Sequence, residues 1–411
     1  MSRIDDLIAE LCPDGVQFKA LGDIAELVRG NGLPKSVFTE SGIGCIHYGQ
    51  IYTYYGVWTT ETISFVAPKT AAPLAKVDTG DIVITNTSEN VEDVCKAVAW
   101  LGESQIVTGG HATVIKHQQD PKYLSYYFRT PEFFAQKKKR AAGTKVIDVS
   151  AKNLAKIRIP IPPLEVQREI VKVLDTFTKL EAELEAELEA RRRQYKYYRD
   201  ALLTFGERTD ADASKQASKQ ASKQASIRWT TLGEVAINLD SKRKPVTKSA
   251  REAGSIPYYG ASGIVDYVSD YIFDGDYLLI SEDGANLLAR STPIAFSISG
   301  KTWVNNHAHV LQFNTYAERR FVEFYLNAID LSPYISGGAQ PKLNQANLNK
   351  IPVPAPPLEE QERIVSILDK FDALVNDLSS GLPAEIKARR QQYEYYRDKL
   401  LSFPKPKEAA V

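Results

Sequence analysis

The sequence predicts an α+β fold in which two globular regions alternate with two long helices, and the helices pair as an antiparallel coiled coil. Three observations predict it. The chain repeats itself at a period near 200 residues. Two segments carry apolar residues at spacings of three and four over several turns. The regions before them hold short β-rich runs separated by turn signals.

The repeat comes first. Pro162-Pro163-Leu164-Glu165, running on to Ile170-Val171-Lys172-Val173-Leu174-Asp175, recurs as Pro356-Pro357-Leu358-Glu359 and Ile364-Val365-Ser366-Ile367-Leu368-Asp369, at an offset of 194. Gln194-Tyr195-Lys196-Tyr197-Tyr198-Arg199-Asp200 recurs as Gln392-Tyr393-Glu394-Tyr395-Tyr396-Arg397-Asp398, at 198. Weaker echoes precede both. Leu21-Gly22-Asp23 matches Leu232-Gly233-Glu234, His47-Tyr48-Gly49 matches Tyr258-Tyr259-Gly260, and His111-Ala112 matches His307-Ala308. The first copy carries about sixteen extra residues between Gln50 and Gly80. The helical parts are near-copies and the globular parts are not, which points to one task applied to two different targets.

The first helix is expected from Leu164 to Phe205, entered through Pro162-Pro163, where proline is tolerated in the first turn. Forty-two residues would span ~63 Å. Within it, Leu180 to Ala190 repeats Leu-Glu-Ala-Glu, a run of strong helix formers. The second helix carries Ile364, Leu368, Phe371, Val375 and Leu378, then Ile386, Tyr393, Tyr396, Leu400 and Phe403. Gly381 and Pro383 predict a break at 381–383. Acidic residues precede basic ones in both helices: Glu181 to Glu189 before Arg191 to Arg193, and Asp369 to Asp377 before Lys387 to Arg390. Antiparallel pairing sets acid against base; parallel pairing sets like against like. Leu174, Phe177, Tyr195 and Tyr198, with Leu368, Phe371, Tyr393 and Tyr396, are the candidate frame and partner-docking residues.

Between the halves, Gly206 to Ser226 contains Ala-Ser-Lys-Gln three times and no core residue, so it reads as a linker. In the globular regions, strands are expected at Asp81–Ile84, Thr113–Ile115, Tyr277–Ile280 and Ala308–Leu311. Helices are expected over Pro121–Arg129, Pro131–Lys139 and Ala317–Ile329.

Each globular region ends in a glycine loop. The first is Ala142-Gly143-Thr144-Lys145, preceded by Lys137-Lys138-Lys139-Arg140; the second is Gly337-Gly338-Ala339-Gln340-Pro341-Lys342-Leu343-Asn344. Glycine permits close backbone approach, lysine suits phosphate, and glutamine or asparagine suits an adenine edge. Aromatic and polar residues interleave at Tyr48, Gln50, Tyr52, Tyr54 and Tyr55, and at Tyr258 and Tyr259. The candidate DNA-contacting set is therefore Tyr48, Gln50, Tyr54, Lys138, Gly143, Thr144, Lys145, Tyr259, Gln340, Lys342 and Asn344. Dense tyrosine and exposed turns serve packing equally well.

Composition and missing motifs narrow the function. Of 411 residues, 43% are hydrophobic and 25% charged, ordinary for a globular protein without a membrane span. Three scattered cysteines suggest neither a disulfide framework nor a zinc site, so a cytoplasmic location is expected. Net charge is zero, whereas a protein that holds DNA alone is usually basic. Either its basic groups are concentrated on one face or partner subunits supply positive surface. Neither proline pair sits in the Asn/Asp-Pro-Pro-aromatic loop of an amino-methyltransferase. Ser299-Gly300-Lys301-Thr302 imitates a phosphate loop, but Ala295 replaces its first glycine and Trp303-Val304 continues as strand. His307 and His309 are expected on one strand face with no third metal ligand evident, and His307 and its counterpart His111 read as structural. No catalytic, cofactor or metal site is expected.

Several of these segments together resemble the specificity subunits of type I restriction–modification enzymes. The resemblance is carried by Ile159 to Gln167 and its copy Ile351 to Gln361, by the two Gln-Tyr-x-Tyr-Tyr-Arg-Asp segments, by Asn305 to Leu311, and by Gly338 to Lys342. The Leu-Glu-Ala-Glu units look like repeats that set spacer length in some members; the Ala-Ser-Lys-Gln tract lies outside the family pattern. The resemblance implies an N-terminal target-recognition domain over 1–160 and a central spacer helix over 161–205, with the linker at 206–226. It then implies a C-terminal recognition domain over 227–353, a C-terminal spacer helix over 354–403 and a tail at 404–411. It implies double-stranded DNA as ligand, two modification (methyltransferase) subunits as partners, and restriction subunits in the full complex. S-adenosylmethionine, ATP and Mg would bind those partners and not this chain, which would catalyse nothing. The readings that compete are a coiled-coil scaffold that binds no DNA and a nuclease with an unrecognised site.

Overall fold

The computed structural model describes residues 2–205, 227–338 and 340–404. The linker expected at 206–226 and residues 405–411 of the expected tail lie outside the described residues. The chain divides into two compact units: Met1–Leu184 with Ile386–Val411, and Glu185–Glu385. The division falls inside one continuous helix, Leu164–Leu203.

The head of the first unit is built from two five-stranded sheets. The central strand of one, Ile82–Thr85, pairs antiparallel with both Ala97–Trp100 and Ala112–His117. Every residue of Ile82–Thr85 is buried, because both faces of its sheet are covered. Val83 packs with Ile46, Val77 and Ile106 of the other sheet. Ile82 and Ile84 point the opposite way, into a core shared with Tyr123, Tyr126, Phe133, Ile170 and Leu174. The layers are thus sheet, sheet, helix. Asp120 starts the helix Pro121–Tyr127 by accepting from the amides of Lys122 and Tyr123, both at 3.0 Å. An N-terminal helix, Ser2–Leu11, adds Ile4, Leu7 and Ile8 to the same core. No element is expected there from sequence, since ten polar-rich residues show only one short apolar stripe.

The head of the second unit repeats the plan with two four-stranded sheets. Strand Tyr277–Ser281 sits between Ala295–Ile298 and Ala308–Gln312. Leu278 and Ile280 pack with Phe321, Phe324 and Leu326 of the helix Tyr316–Ala328, while Leu279 packs between the sheets. The first head's extra residues between Gln50 and Gly80 supply the strand Trp58–Thr59, which widens one of its sheets; the additional strand of the other, Phe38–Thr39, lies before them.

Repeated residues do repeated work. Gln167 is fully buried; its Nε2 donates to the Pro162 carbonyl at 2.7 Å and to Gln119 Oε1 at 2.8 Å, and its Oε1 accepts from Asp120 N at 3.0 Å. Gln361 Nε2 donates to the Pro356 carbonyl at 2.9 Å. Each glutamine fastens the proline turn that starts a long helix. Asp175 accepts from Tyr126 Oη at 2.8 Å and meets Lys122 Nζ at 2.6 Å. Its copy Asp369 accepts from Tyr316 Oη and meets Arg320 Nη2, both at 2.8 Å. In each unit this aspartate ties the head's own helix to the long one.

The helices run antiparallel within each unit. In the first, Phe177 stacks on Tyr396 with centroids 5.4 Å apart, and Glu181 meets Arg390 at 2.5 Å. In the second, Phe371 lies 6.3 Å from Tyr195 and 5.5 Å from Tyr198. One helix then ends inside each core: Leu400, Leu401 and Phe403 in the first, Leu202, Leu203 and Phe205 in the second.

The second long segment is two helices, Leu358–Asn376 and Leu382–Leu400. Asp377 ends the first by accepting from Ser379 N at 2.7 Å and from the hydroxyls of Ser379 and Ser380 at 2.6 and 2.5 Å. Those bonds, Ser379 first, hold its carboxyl at about 2. Gly381 then lies where a Cβ would come within 2.4 Å of the Ala373 carbonyl oxygen, so the bend needs glycine. Leu378, expected in the apolar seam, is 79% exposed, because the chain has left the helix before it.

Leu401→Ala and Leu203→Ala are each expected to destabilise the unit they enter by about 2–5 kcal/mol. Hydrogen exchange checks this. Leu401→Ala should loosen strand Ile82–Thr85, and Leu203→Ala strand Tyr277–Ser281. Loosening confined to the helix that carries each leucine would contradict the shared cores.

Candidate nucleic-acid interface

The two glycine loops close in the same way. Ala142 and Asp148 exchange backbone hydrogen bonds of 2.9 and 2.7 Å, and Ser336 and Lys342 exchange bonds of 2.8 and 2.7 Å. Gly143 and Gly337 follow the first residue of each pair, at φ of 107° and 83°. A Cβ on Gly143 would lie 2.0 Å from the Val146 carbonyl oxygen, and one on Gly337 2.5 Å from that of Gln340. Glycine is therefore required to turn each loop. Thr144, Lys145 and Val146 project from the first loop, and Gln340 and Lys342 are exposed in the second. A short helix leaves each loop, Ala151–Ala155 capped by Ser150 and Gln345–Asn349 capped by Asn344. The Asn344 Oδ1 accepts from Asn347 N at 2.9 Å, so that oxygen serves the cap.

Beneath the loops the heads share a backbone node and differ in its chemistry. Asn86 N donates to the His111 carbonyl and its own carbonyl accepts from Val149 N, both at 2.8 Å. Glu282 repeats this with His307 and Leu343, at 2.9 and 2.7 Å. In the first head the side chains are neutral: Asn86 Nδ2 donates to the Val149 carbonyl at 2.9 Å, and Thr113 Oγ1 donates to Asn86 Oδ1 at 2.8 Å. In the second they are charged. His309, wholly buried, places Nδ1 2.6 Å from Asp240 Oδ2 and Nε2 2.7 Å from the Leu343 carbonyl oxygen. Glu282 meets Arg243 Nη1 at 2.6 Å and Lys342 Nζ at 3.2 Å. Burial pushes the Asp240 carboxyl up, but the His309 hydrogen bond and charge, the Val310 amide and Arg243 outweigh it and leave it below its ordinary value. Glu282 is lowered likewise: burial raises it, and Arg243, His309 and Lys342 overcome that.

Asp240, Glu282 and His309 have the spacing of a metal-ligand group, a set of three that the sequence does not reveal because its members lie far apart along the chain. The direct 2.6 Å approach of His309 to Asp240 and the guanidinium on the carboxylates make the group an ion-paired node. His307 does not share the face of His309. It precedes the strand, half exposed, with Nδ1 2.8 Å from Asp283. Its counterpart His111 places Nδ1 2.9 Å from Thr87 Oγ1. The phosphate-loop imitation becomes the ends of strands Ala295–Ile298 and Lys301–Val304, in different sheets.

The remaining candidates separate into outward and inward groups. Tyr48 begins a helix, Tyr48–Thr53, and is half-buried between the rings of His47 and His111. Gln50 is committed to the fold: its Oε1 accepts from His47 N at 2.9 Å and its Nε2 donates to Ser64 Oγ at 2.6 Å. Tyr54 is 64% exposed. Lys138 is exposed, but neighbouring Lys137 is buried and donates to the carbonyls of Glu92 and Val94. Tyr259 is half-buried beside Phe296, and Tyr258 is wholly buried. Among the frame residues, Leu174 and Leu368 are fully buried in the two cores, and Tyr393 packs against the first. Phe177, Tyr195, Phe371 and Tyr396 stack across the paired helices, whereas Tyr197 and Tyr395 face outward at 69% and 60% exposure. Periodicity locates the seam and does not tell its outward tyrosines from its inward ones.

A family model described as the type I restriction modification DNA specificity domain matches residues 13–190 and 228–388. A Haemophilus influenzae protein provisionally named a type I restriction enzyme specificity subunit is 42% identical over 181 residues, covering 43% of this chain and 46% of that protein. The EcoR124I/EcoR124II specificity subunit of Escherichia coli is 34% identical over 317 residues, covering 69% of this chain and 71% of its own length. In fold, the chain is similar to the crystal structure of a type I restriction–modification S subunit from M. genitalium, with a TM-score of 0.56 and 15% identity. That match covers 94% of this chain and 96% of the other.

His309→Thr is expected to destabilise the second unit by about 3 kcal/mol, since it strands a buried carboxylate. Asp240→Asn with His309→Thr removes the stranded carboxylate and should recover most of that stability. Because Asp240 and Glu282 are lowered, their contribution is complete above their ordinary values of 3.8 and 4.5 and is lost as pH falls through the lowered ones. Thermal unfolding against pH should therefore show acid sensitivity in wild type and less of it in the double variant. Equal melting of all three proteins at every pH would refute the node.

Proposed function

Since this chain belongs to the family of type I restriction–modification DNA specificity proteins, we propose that it gives such an enzyme its DNA sequence, one head reading each half of a split, asymmetric site. The observation that carries this reading is the pair of glycine loops: same closure, same place in each head, different exposed residues. Like frames presenting unlike side chains suit two different half-sites. Lys145 and Lys342 suit phosphate, and Thr144 and Gln340 suit base edges. The division into recognition domains at 1–160 and 227–353 with spacer helices at 161–205 and 354–403 follows from the same reading. So does a tethering role for 206–226.

The subunit itself catalyses nothing. Two modification subunits dock on the helical frame, where Tyr197 and Tyr395 offer exposed rings. They bring S-adenosylmethionine chemistry, and restriction subunits add ATP- and Mg-dependent cleavage. Partner subunits would also add positive surface to a chain whose net charge is zero. Among the described residues no helix is long and apolar enough to cross a membrane.

Exchanging residues 16–160 for those of another family member is expected to change one half-site of the genomic methylation motif and leave the other intact. A change in both would refute modular reading. Deleting Leu184 to Glu187 shortens the helix by about 6 Å and should shift the spacer by one or two base pairs with both half-sites kept. Altered half-sites would refute the spacing role.

A further inference from the structure

The first head holds a second feature that neither loop accounts for. A cleft of about 510 Å³ opens between residues 29–34, the start of the helix Tyr48–Thr53, and the turn before strand Ala112–His117. Its charged and titratable lining consists of Arg29, His47, Tyr48 and His111, with no carboxylate. Lys35 stands close enough that its charge, after burial and together with that of His111, lowers the His47 imidazole below its ordinary value. Among the described residues neither Arg29 nor Lys35 has a salt-bridge partner. Cations gathered without counter-charge mark a place that an anion completes.

The second head gives an internal comparison. At the equivalent node the cations already have carboxylate partners, Arg243 in Asp240 and Glu282 and Lys342 in Glu282, and His307 Nδ1 lies 2.8 Å from Asp283. In the first head the position matching Asp283 is Thr87, whose hydroxyl meets His111. Among the described residues, only the first head's cations at this place have no carboxylate partner.

Glycine lets the backbone beside the cleft pack closely. A Cβ on Gly30 would lie 2.0 Å from the Gly109 carbonyl oxygen, and one on Gly109 would lie 2.0 Å from the Leu33 Cβ. These two glycines press the walls together at the cleft's base. Gly32 differs: a Cβ there would meet nothing within 4 Å, and its φ is ordinary. Packing does not require glycine at that position, and a side chain would take up open space. His111 is held at φ 67°, a costly conformation for a residue other than glycine, and this sets its ring against Tyr48 at 4.9 Å.

We infer that this cleft takes a phosphodiester of the DNA backbone, clamped by Arg29 and Lys35 with His47 and His111 as further donors, and so fixes the register in which the first head meets its half-site. The inference rests on the DNA-reading function proposed above and deepens it. A phosphate contact positions without specifying, so its effect should be the same on every sequence the head accepts.

The test uses the full chain assembled with its methyltransferase subunits and a duplex carrying its mapped site. Arg29→Ala with Lys35→Ala is expected to weaken binding roughly tenfold and to lower the slope of log affinity against log salt by about one for each phosphate no longer neutralised. Gly32→Leu leaves every charge in place and adds an apolar side chain at the cleft's edge; it should weaken binding comparably with an unchanged melting temperature. Inorganic phosphate at matched ionic strength should displace no more DNA than chloride does. Variants that bind with wild-type affinity and salt slope overturn the inference. So does displacement by inorganic phosphate that needs Arg29, which would assign the cleft to a free anion. Failure of the wild-type assembly to bind any duplex would count against the DNA-reading function itself, an outcome distinct from these.

Discussion

Each head of this protein depends on the end of a helix that started from the other repeat. Leu400, Leu401 and Phe403 close the first core, and Leu202, Leu203 and Phe205 close the second. Those residues arrive only because the helices run antiparallel, with Phe177 on Tyr396 in one unit and Phe371 beside Tyr195 and Tyr198 in the other. The seam is thus a condition of folding for both heads as well as a connection. A helix lengthened by one four-residue unit advances its remaining residues by about 6 Å and turns them by roughly 40°. Near-whole turns are the increments that such a seam tolerates best, which gives the Leu-Glu-Ala-Glu run a physical rationale.

The same dependence explains why frame residues recur while head residues diverge. Gln167 and Gln361 each tie a proline turn, and Asp175 and Asp369 each anchor a tyrosine hydroxyl and a cation from the head's own helix. A change at any of these leaves a buried or half-buried polar group without its partner, at a cost of about 1–3 kcal/mol. Loop residues such as Thr144 and Gln340 carry no such obligation. Closure of each loop rests on backbone bonds and one glycine, so the exposed side chains can change while the geometry stays.

The frame was legible because its signals are periodic and duplicated. A 194-residue echo and apolar spacings of three and four specify helices and their approximate ends, and the order of acidic and basic residues specifies their pairing sense. Strands such as Ile82–Thr85 and Ala308–Gln312 were legible as short apolar runs. What stayed hidden depends on partners distant in sequence. Gln50 reads as a polar residue among tyrosines, and only the fold commits both ends of its amide to His47 and Ser64. Lys137 reads as part of a basic run, yet its ammonium is buried on two carbonyls. Leu378 fits the apolar period and still lies in solvent, because Asp377 and Gly381 end the helix locally. The Asp240–Glu282–His309 node joins residues up to 69 positions apart, beyond any short motif.

That node separates two ways of holding one loop. Asn86 and Thr113 hold the first with neutral hydrogen bonds, whose strength changes little with pH or salt. Glu282, His309, Asp240 and Arg243 hold the second with buried charges, each costly to desolvate and each dependent on the others. The charged version couples the second loop to its surroundings: Lys342 sits on the loop and on Glu282 at once. A phosphate drawn to Lys342 would compete with Glu282 for the same ammonium, so contact there must work against an existing ion pair. Among the described residues Lys145, Arg29 and Lys35 have no carboxylate partner. By this argument the two heads divide the electrostatic work unequally. Under the DNA-reading function proposed above, the first head would hold the duplex more through charge, and the second would lean more on the shape and hydrogen bonding of its half-site.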